Sequence, residues 1–113
     1  MIDSLGFGLA GLSAHEQKIS TVAHNVANVN TEGFKKDRVT IHSNEFGQPG
    51  ADTSGVNTPG YTVQGPDAEV EISNVDVAEE TVDLTLGKTG LIANLKVIKS
   101  TVDTLDSILD IMA

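Results

Sequence analysis

The stretch Leu91-Ile-Ala-Asn-Leu-Lys-Val-Ile-Lys-Ser-Thr-Val-Asp-Thr-Leu-Asp-Ser-Ile-Leu-Asp-Ile-Met112 decides the fold class. Its residues Leu91, Leu95, Ile98, Val102, Leu105, Leu109 and Met112 alternate at spacings of four and three. Sustained over three heptads, that seam predicts a long amphipathic helix. Val97, Ile108 and Ile111 fall beside the seam. They widen the apolar arc to roughly 180°, more than one partner helix needs. Lys96, Lys99, Asp103, Asp106 and Asp110 occupy the remaining face. Upstream, Asp76-Val-Ala-Glu79 has the capping-box pattern of an N-cap acid followed three residues later by Glu. Glu79, Glu80 and Asp83 suit the positive end of the helix dipole. Gly87 and Gly90 are weak points in this helix and permit either a bend or a close approach by another helix.

The N-terminal end carries a second, looser periodicity. Leu5, Leu12, Ile19 and Val26 recur every seven residues, with Gly8, His15, Val22 and Val29 three positions further on in each heptad. This predicts another amphipathic helix, better patterned from Ile19 onward. Gly6, Gly8 and Gly11 each weaken it by about 1 kcal/mol relative to Ala. Asn28, Asn30, Thr31 and Gly33 end it, with Gly33 suited to a left-handed backbone. As helices, residues 5–29 span about 38 Å and residues 76–112 about 55 Å. The first is too short to cover the second, so apolar surface is left for another molecule. Within the pair, Ile19, Val22 and Val26 are expected to meet Leu95, Val102 and Leu105.

Between the helices lie five glycines and all three prolines, the composition of turns. Arg38–His42 alternates Val39 and Ile41 with polar residues, and Glu69–Ser73 alternates Val70 and Ile72 with polar ones. Val39–His42 and Val70–Ser73 are expected to pair as a small sheet with a loop between them. The chain thus divides into an N-terminal helix and turn (1–33), an irregular middle with short strands (34–73) and a C-terminal helix (74–113).

Composition narrows the function. The 113 residues suffice for one small domain with a modest core. Aromatics make up only 4%, so small aliphatics must do the packing. A net charge of −9, from 16 acidic and 7 basic residues, argues against nucleic acid and anionic membrane surfaces. There is no cysteine, which excludes disulfide and thiol chemistry. No apolar run approaches the roughly 20 residues that span a bilayer, so no direct membrane insertion is expected. The N-terminus lacks the basic start and apolar stretch of a cleaved secretory signal.

Motifs with chemical meaning fail on context. Gly6-Phe-Gly-Leu-Ala-Gly11 fits G-x-G-x-x-G, but only five residues precede it, and a dinucleotide site needs a preceding strand. His15, His24 and His42 are nine and eighteen apart, not at the i, i+4 spacing of a helical metal pair. No nucleophile elbow marks any serine. No catalytic residue, metal or cofactor is expected.

Two segments carry a resemblance. Leu12-Ser-Ala-His-Glu-Gln-Lys-Ile-Ser-Thr-Val-Ala-His-Asn-Val-Ala-Asn-Val-Asn-Thr-Glu-Gly-Phe-Lys35 resembles the N-terminal signature of the flagellar rod and hook axial family. That signature is an amphipathic helix ending in A-N-N-x-A-N-x-N-T-x-G-F/Y-K. Ala23, Asn25, Ala27, Asn28, Asn30, Thr31, Gly33, Phe34 and Lys35 match it, while His24 stands where Asn is usual. Asn74-Val-Asp-Val-Ala-Glu-Glu-Thr-Val-Asp83, with Ala93-Asn-Leu-Lys-Val-Ile98 after it, resembles the family's C-terminal signature. The nearest type is a small proximal-rod subunit.

The resemblance implies a mostly α fold, two terminal helices forming an antiparallel coiled coil, and a structural role in a basal-body rod that transmits torque across the periplasm. It implies export through the flagellar type III channel without a cleaved signal. The implied partners are other rod subunits, copies of the chain itself and the export apparatus. The residues expected to make subunit contacts are Leu12, Ile19, Val22, Val26, Asn28, Asn30, Leu91, Leu95, Ile98, Val102, Leu105, Leu109 and Met112. The alternative is a helical adaptor or chaperone-like module of the export system, which binds one partner and does not polymerise.

Overall fold

The computed structural model describes residues 2–113, and side-chain burial from Asp3 onward. Six elements follow in order: α1 (Ile2–Ala27), β1 (Asp37–Ser43), β2 (Pro49–Gly55), β3 (Thr62–Gln64), β4 (Glu69–Glu71) and α2 (Val77–Met112). The molecule is a thin plate of 77 × 25 × 15 Å. Its thickness is little more than the diameter of one helix, about 10–12 Å.

α1 and α2 lie side by side, and their contacts run in opposite order along the two helices. Gly8 meets Ile98, Gly11 meets Asn94, His15 meets Gly90 and Ile19 meets Gly87. The Lys18–Asp83 ion pair, 3.0 Å, continues the series. The α1-facing stripe of α2 is thus Glu80, Asp83, Gly87, Gly90, Asn94 and Ile98, all polar or small except Ile98. Of the apolar seam, Ile98 joins this stripe, while Leu95, Val102 and Leu109 lie to one side of it and are exposed. This corrects the expected pairing, since Ile19 rests on Gly87, fifteen residues from Val102 and about 22 Å along the helix axis. The cause is distance. A Cβ on Gly8 would stand 2.8 Å from Ile98 Cγ1, and one on Gly11 2.6 Å from Asn94 Oδ1. Helices stripped of Cβ atoms on both sides approach more closely than leucine stripes allow.

The strands form two local hairpins and not the long-range sheet expected. β1 pairs antiparallel with β2, Val39 opposite Thr53 and Ile41 opposite Ala51. β3 pairs antiparallel with β4, Val63 opposite Val70. Turn chemistry explains the choice. Asn44 Oδ1 accepts from the N–H groups of Phe46, 3.0 Å, and Gln48, 2.9 Å. Gly47 supplies the positive φ, 76°, that this turn requires. Gly65 N–H donates to the Ala68 carbonyl, 2.9 Å, to close the second turn. Closing a loop of a few residues costs less entropy than closing one of about thirty. The first hairpin lies against α1, where Gln17 Nε2 donates to Thr53 Oγ1, 2.8 Å.

The buried apolar side chains among the described residues are Ala14, Val22, Val39 and Val75. So small a core follows from the scarcity of aromatics and from the one-helix thickness.

Candidate assembly surface

The end of α1 and the start of α2 meet at a polar knot. Asn25, on the last turn of α1, is 1% exposed. Its amide pairs twice with the Asp37 backbone: Nδ2 donates to the carbonyl, 2.7 Å, and Oδ1 accepts from the N–H, 3.0 Å. The same Nδ2 donates to Glu80 Oε2, 3.2 Å. Asn74 does the corresponding work for the middle segment. Its Oδ1 accepts from Lys36 N–H, 2.7 Å, and its Nδ2 donates to the carbonyls of Val56, 2.7 Å, and Thr58, 3.0 Å. Lys36 and Arg38 both bond the Glu79 carboxylate. Those two cations, Lys36 first, hold the Glu79 carboxyl below the usual carboxylate range. Lys35, together with the Gly60 N–H, does the same for Glu71.

The capping box is half formed. Asp76 Oδ1 accepts from Ala78 N–H, 2.9 Å, and Glu79 N–H, 3.3 Å. Glu79 itself turns away to the two cations. Gly33, at φ 65°, bends the chain after α1, and its N–H donates to the Glu71 carbonyl, 2.9 Å.

Many large apolar side chains of α2 are exposed. At about 100° per residue, α2 carries two apolar flanks, one on each side of its α1-facing stripe. Val82, Leu86 and Val97 lie on one flank, and Val77, Leu84, Leu95 and Val102 on the other, all exposed. Past the N-terminal end of α1 both flanks continue uncovered, reaching 63% exposure at Leu109 and 85% at Ile111. A compact chain of this mass exposes about 5,900 Å², whereas this one, of 11.8 kDa, exposes 7,479 Å². Its radius of gyration is 19.8 Å against about 13 Å for a compact chain of this length.

The expected contact residues are distributed unevenly. Val22 is buried in the chain's own core. Leu12, Ile19, Leu91, Ile98 and Leu105 are half-buried, Ile19 against Gly87 and Ile98 against Gly8. Val26, Leu95, Val102, Leu109 and Met112 are exposed. Asn28 Nδ2 donates to the His24 carbonyl, 2.9 Å, and its Oδ1 accepts from Thr31 Oγ1, 3.2 Å. Asn30 is exposed. Sequence reasoning passed over Lys36 and the burial of Glu80 and Asn25. The signal available was the heptad repeat Glu80, Gly87, Asn94, which tracks the facing helix without being apolar.

No helix among the described residues is long and apolar enough to cross a membrane. Two paired helices, a polar knot joining their ends and a largely uncovered second helix define an elongated, mostly helical architecture. Residues 5–35 match the family Flagella basal body rod protein, and residues 68–111 match the family Flagellar basal body rod FlgEFG protein C-terminal. The chain belongs to the flagellar basal-body rod and hook family of structural proteins.

Among curated relatives, the flagellar basal-body rod protein FlgG of Bacillus subtilis is 46% identical over 41 residues, 36% of this chain and 16% of that protein. The flagellar hook protein FlgE of Borreliella burgdorferi is 51% identical over 41 residues, 36% of this chain and 9% of that protein. FlgE of Treponema pallidum is 35% identical over 63 residues, 50% of this chain and 14% of that protein. The matched regions span no more than about a sixth of the length of these relatives.

Proposed function

We propose that this chain is a structural subunit of the flagellar basal-body rod that polymerises through its terminal helices and transmits torque, with no catalytic residue. The helix pair serves as the antiparallel coiled coil of the subunit, with segment 1–33 and segment 74–113 as its two arms and 34–73 as the insert between them. Its partners are copies of itself and other rod subunits, reached after export without a cleaved signal to the periplasm-spanning rod.

One observation carries this reading: α2 has two separate apolar flanks. A closed dimer needs one such patch, whereas an open assembly needs two. The surface in excess of a compact chain is roughly 1,600 Å², and a standard interface takes about 800 Å² from each partner. The excess therefore matches two neighbours. Leu91, Leu95, Val102, Leu105, Leu109 and Met112 are the contact residues on α2. Leu12 and Val26 serve α1 and Asn28 and Asn30 the turn after it, while Ile19, Val22 and Ile98 hold the pair itself together.

Sedimentation over a concentration series tests the proposal. Average mass that climbs with concentration without an end point is the expected outcome. Mass that stops at a dimer would favour a one-partner adaptor and remove the rod reading.

A further inference from the structure

His15 sits at the middle of the helix pair, with its ring laid on Gly90. A Cβ at position 90 would fall within the van der Waals radii of three ring atoms, Cε1, Nε2 and Nδ1. The ring therefore occupies the volume that a side chain on α2 would otherwise take. Its Nδ1 is sealed from solvent and has no hydrogen-bond partner. A neutral imidazole tolerates this by keeping a lone pair on Nδ1 and its proton on Nε2. An imidazolium does not, because both nitrogens become donors and Nδ1–H would be buried with no acceptor.

The charges around the ring add to the effect. On α1, Lys18 lies one turn away, and on α2 its partner Asp83 neutralises it only at 3.0 Å from Nζ. Lys88, two residues from Gly90, and Glu16, beside His15, are exposed. In the first hairpin, which packs on α1, Arg38 is bonded to Glu79, Asp37 lies beside Asn25, Glu45 is exposed, and His42 and Asp52 face each other at 3.5 Å. No carboxylate among the described residues lies within ion-pair reach of the His15 ring to welcome a proton.

We propose that His15 is a pH-sensitive latch, closing α1 onto α2 when neutral and releasing the middle of the pair when protonated. The inference rests on the packing inside one chain and is independent of whether the chain polymerises. Burial first, and the Lys18 charge second, hold the His15 pKa below the ordinary histidine value. The folded state thus binds fewer protons than the unfolded one. Stability is full above about pH 6.5, the unfolded value, and falls as the pH drops toward the folded value. The Asn25–Glu80 knot contains no histidine, so the release starts at the glycine seam.

The test is a melting series from pH 7.5 to 5.5 on the full chain at a concentration where it is monomeric. The wild type is expected to lose about 4 °C or more. His15→Gln is expected to stay flat over that window, while His24→Gln and His42→Gln keep the wild-type loss. An equal loss in His15→Gln, or none in the wild type, overturns the latch. An NMR titration of the wild-type imidazoles gives a readout that needs no variant. The His15 Cε1–H resonance is expected to titrate below the ordinary histidine value of about 6.5, and a midpoint at or above it overturns the proposal.

Discussion

Asn25 Nδ2 on the last turn of α1 donates to Glu80 Oε2 on the first turn of α2, 3.2 Å away, while the same amide pairs twice with the backbone of Asp37. One buried side chain thereby ties the end of one helix, the start of the other and the first strand. Asn25→Ala removes all three bonds and leaves a buried carboxylate and two backbone groups unpaired. The expected cost is about 3 kcal/mol, read by urea denaturation. Asn30→Ala, at an exposed position, is expected to change stability by less than about 0.5 kcal/mol. Equal effects at the two sites would show that the knot does not organise the fold.

Two glycine substitutions of the same kind are expected to act in opposite directions. A Cβ at Gly6 meets nothing within 4 Å. Gly6→Ala therefore gains helix propensity, about 0.5–1 kcal/mol. At Gly90 the added methyl collides with the His15 ring. The overpacking there, about 1–3 kcal/mol, outweighs the gain in propensity. Guanidinium midpoints measured at neutral pH decide it, and a more stable Gly90→Ala would place the helices further apart than described.

Acid sensitivity has a second source at Glu79. Its carboxyl is held below the usual range by hydrogen bonds from Lys36 first and Arg38 second. A depressed carboxylate contributes stability that is present above the unfolded value and lost as pH falls through the folded one. Glu79→Gln should therefore flatten the stability curve below about pH 4.5 and leave the range around pH 6 unchanged. A wild-type acid limb in this variant would remove the ion pairs as its cause.

Exposed apolar positions past the end of α1 separate folding from assembly. Leu109 is 63% exposed in the single chain. Leu109→Asp is expected to shift monomer stability by no more than about 0.5 kcal/mol, while preventing the growth of mass with concentration. Unchanged growth would show that the neighbour docks elsewhere.

The acidic end of α2 offers a salt-dependent test. Lys99 Nζ bonds Asp103 at 2.9 Å, whereas Asp106 and Asp110 have no ion-pair partner among the described residues. Near a helix C-terminus each anion is unfavourable by about 0.3–1 kcal/mol. The double variant Asp106→Asn, Asp110→Asn is expected to increase the helicity of the chain and to weaken assembly at low salt. Equal assembly by wild type and double variant at low salt means the strip is only a solvated face.

Much of the architecture was legible in one dimension. Heptad spacing over 91–112 gives a helix whatever it packs against, and Asp76 as a cap depends only on the three residues after it. The left-handed backbone at Gly33 and the predominance of helix follow from equally local chemistry. Three other features were decided only in three dimensions. Strand alternation shows that Val39 and Val70 belong to strands but not which strands they pair with. The Asn44–Gln48 and Gly65–Ala68 turns settled that by closing shorter loops. Apolar periodicity locates the leucine stripe of α2, but attraction between helices also depends on how closely their axes approach. Gly8, Gly11, Gly87 and Gly90 allow the closer approach, so α1 took the small and polar stripe and the leucines were left outward. Burial of Asn25 and Glu80 followed from that register, because a polar pair enters a core only where each side chain finds the other.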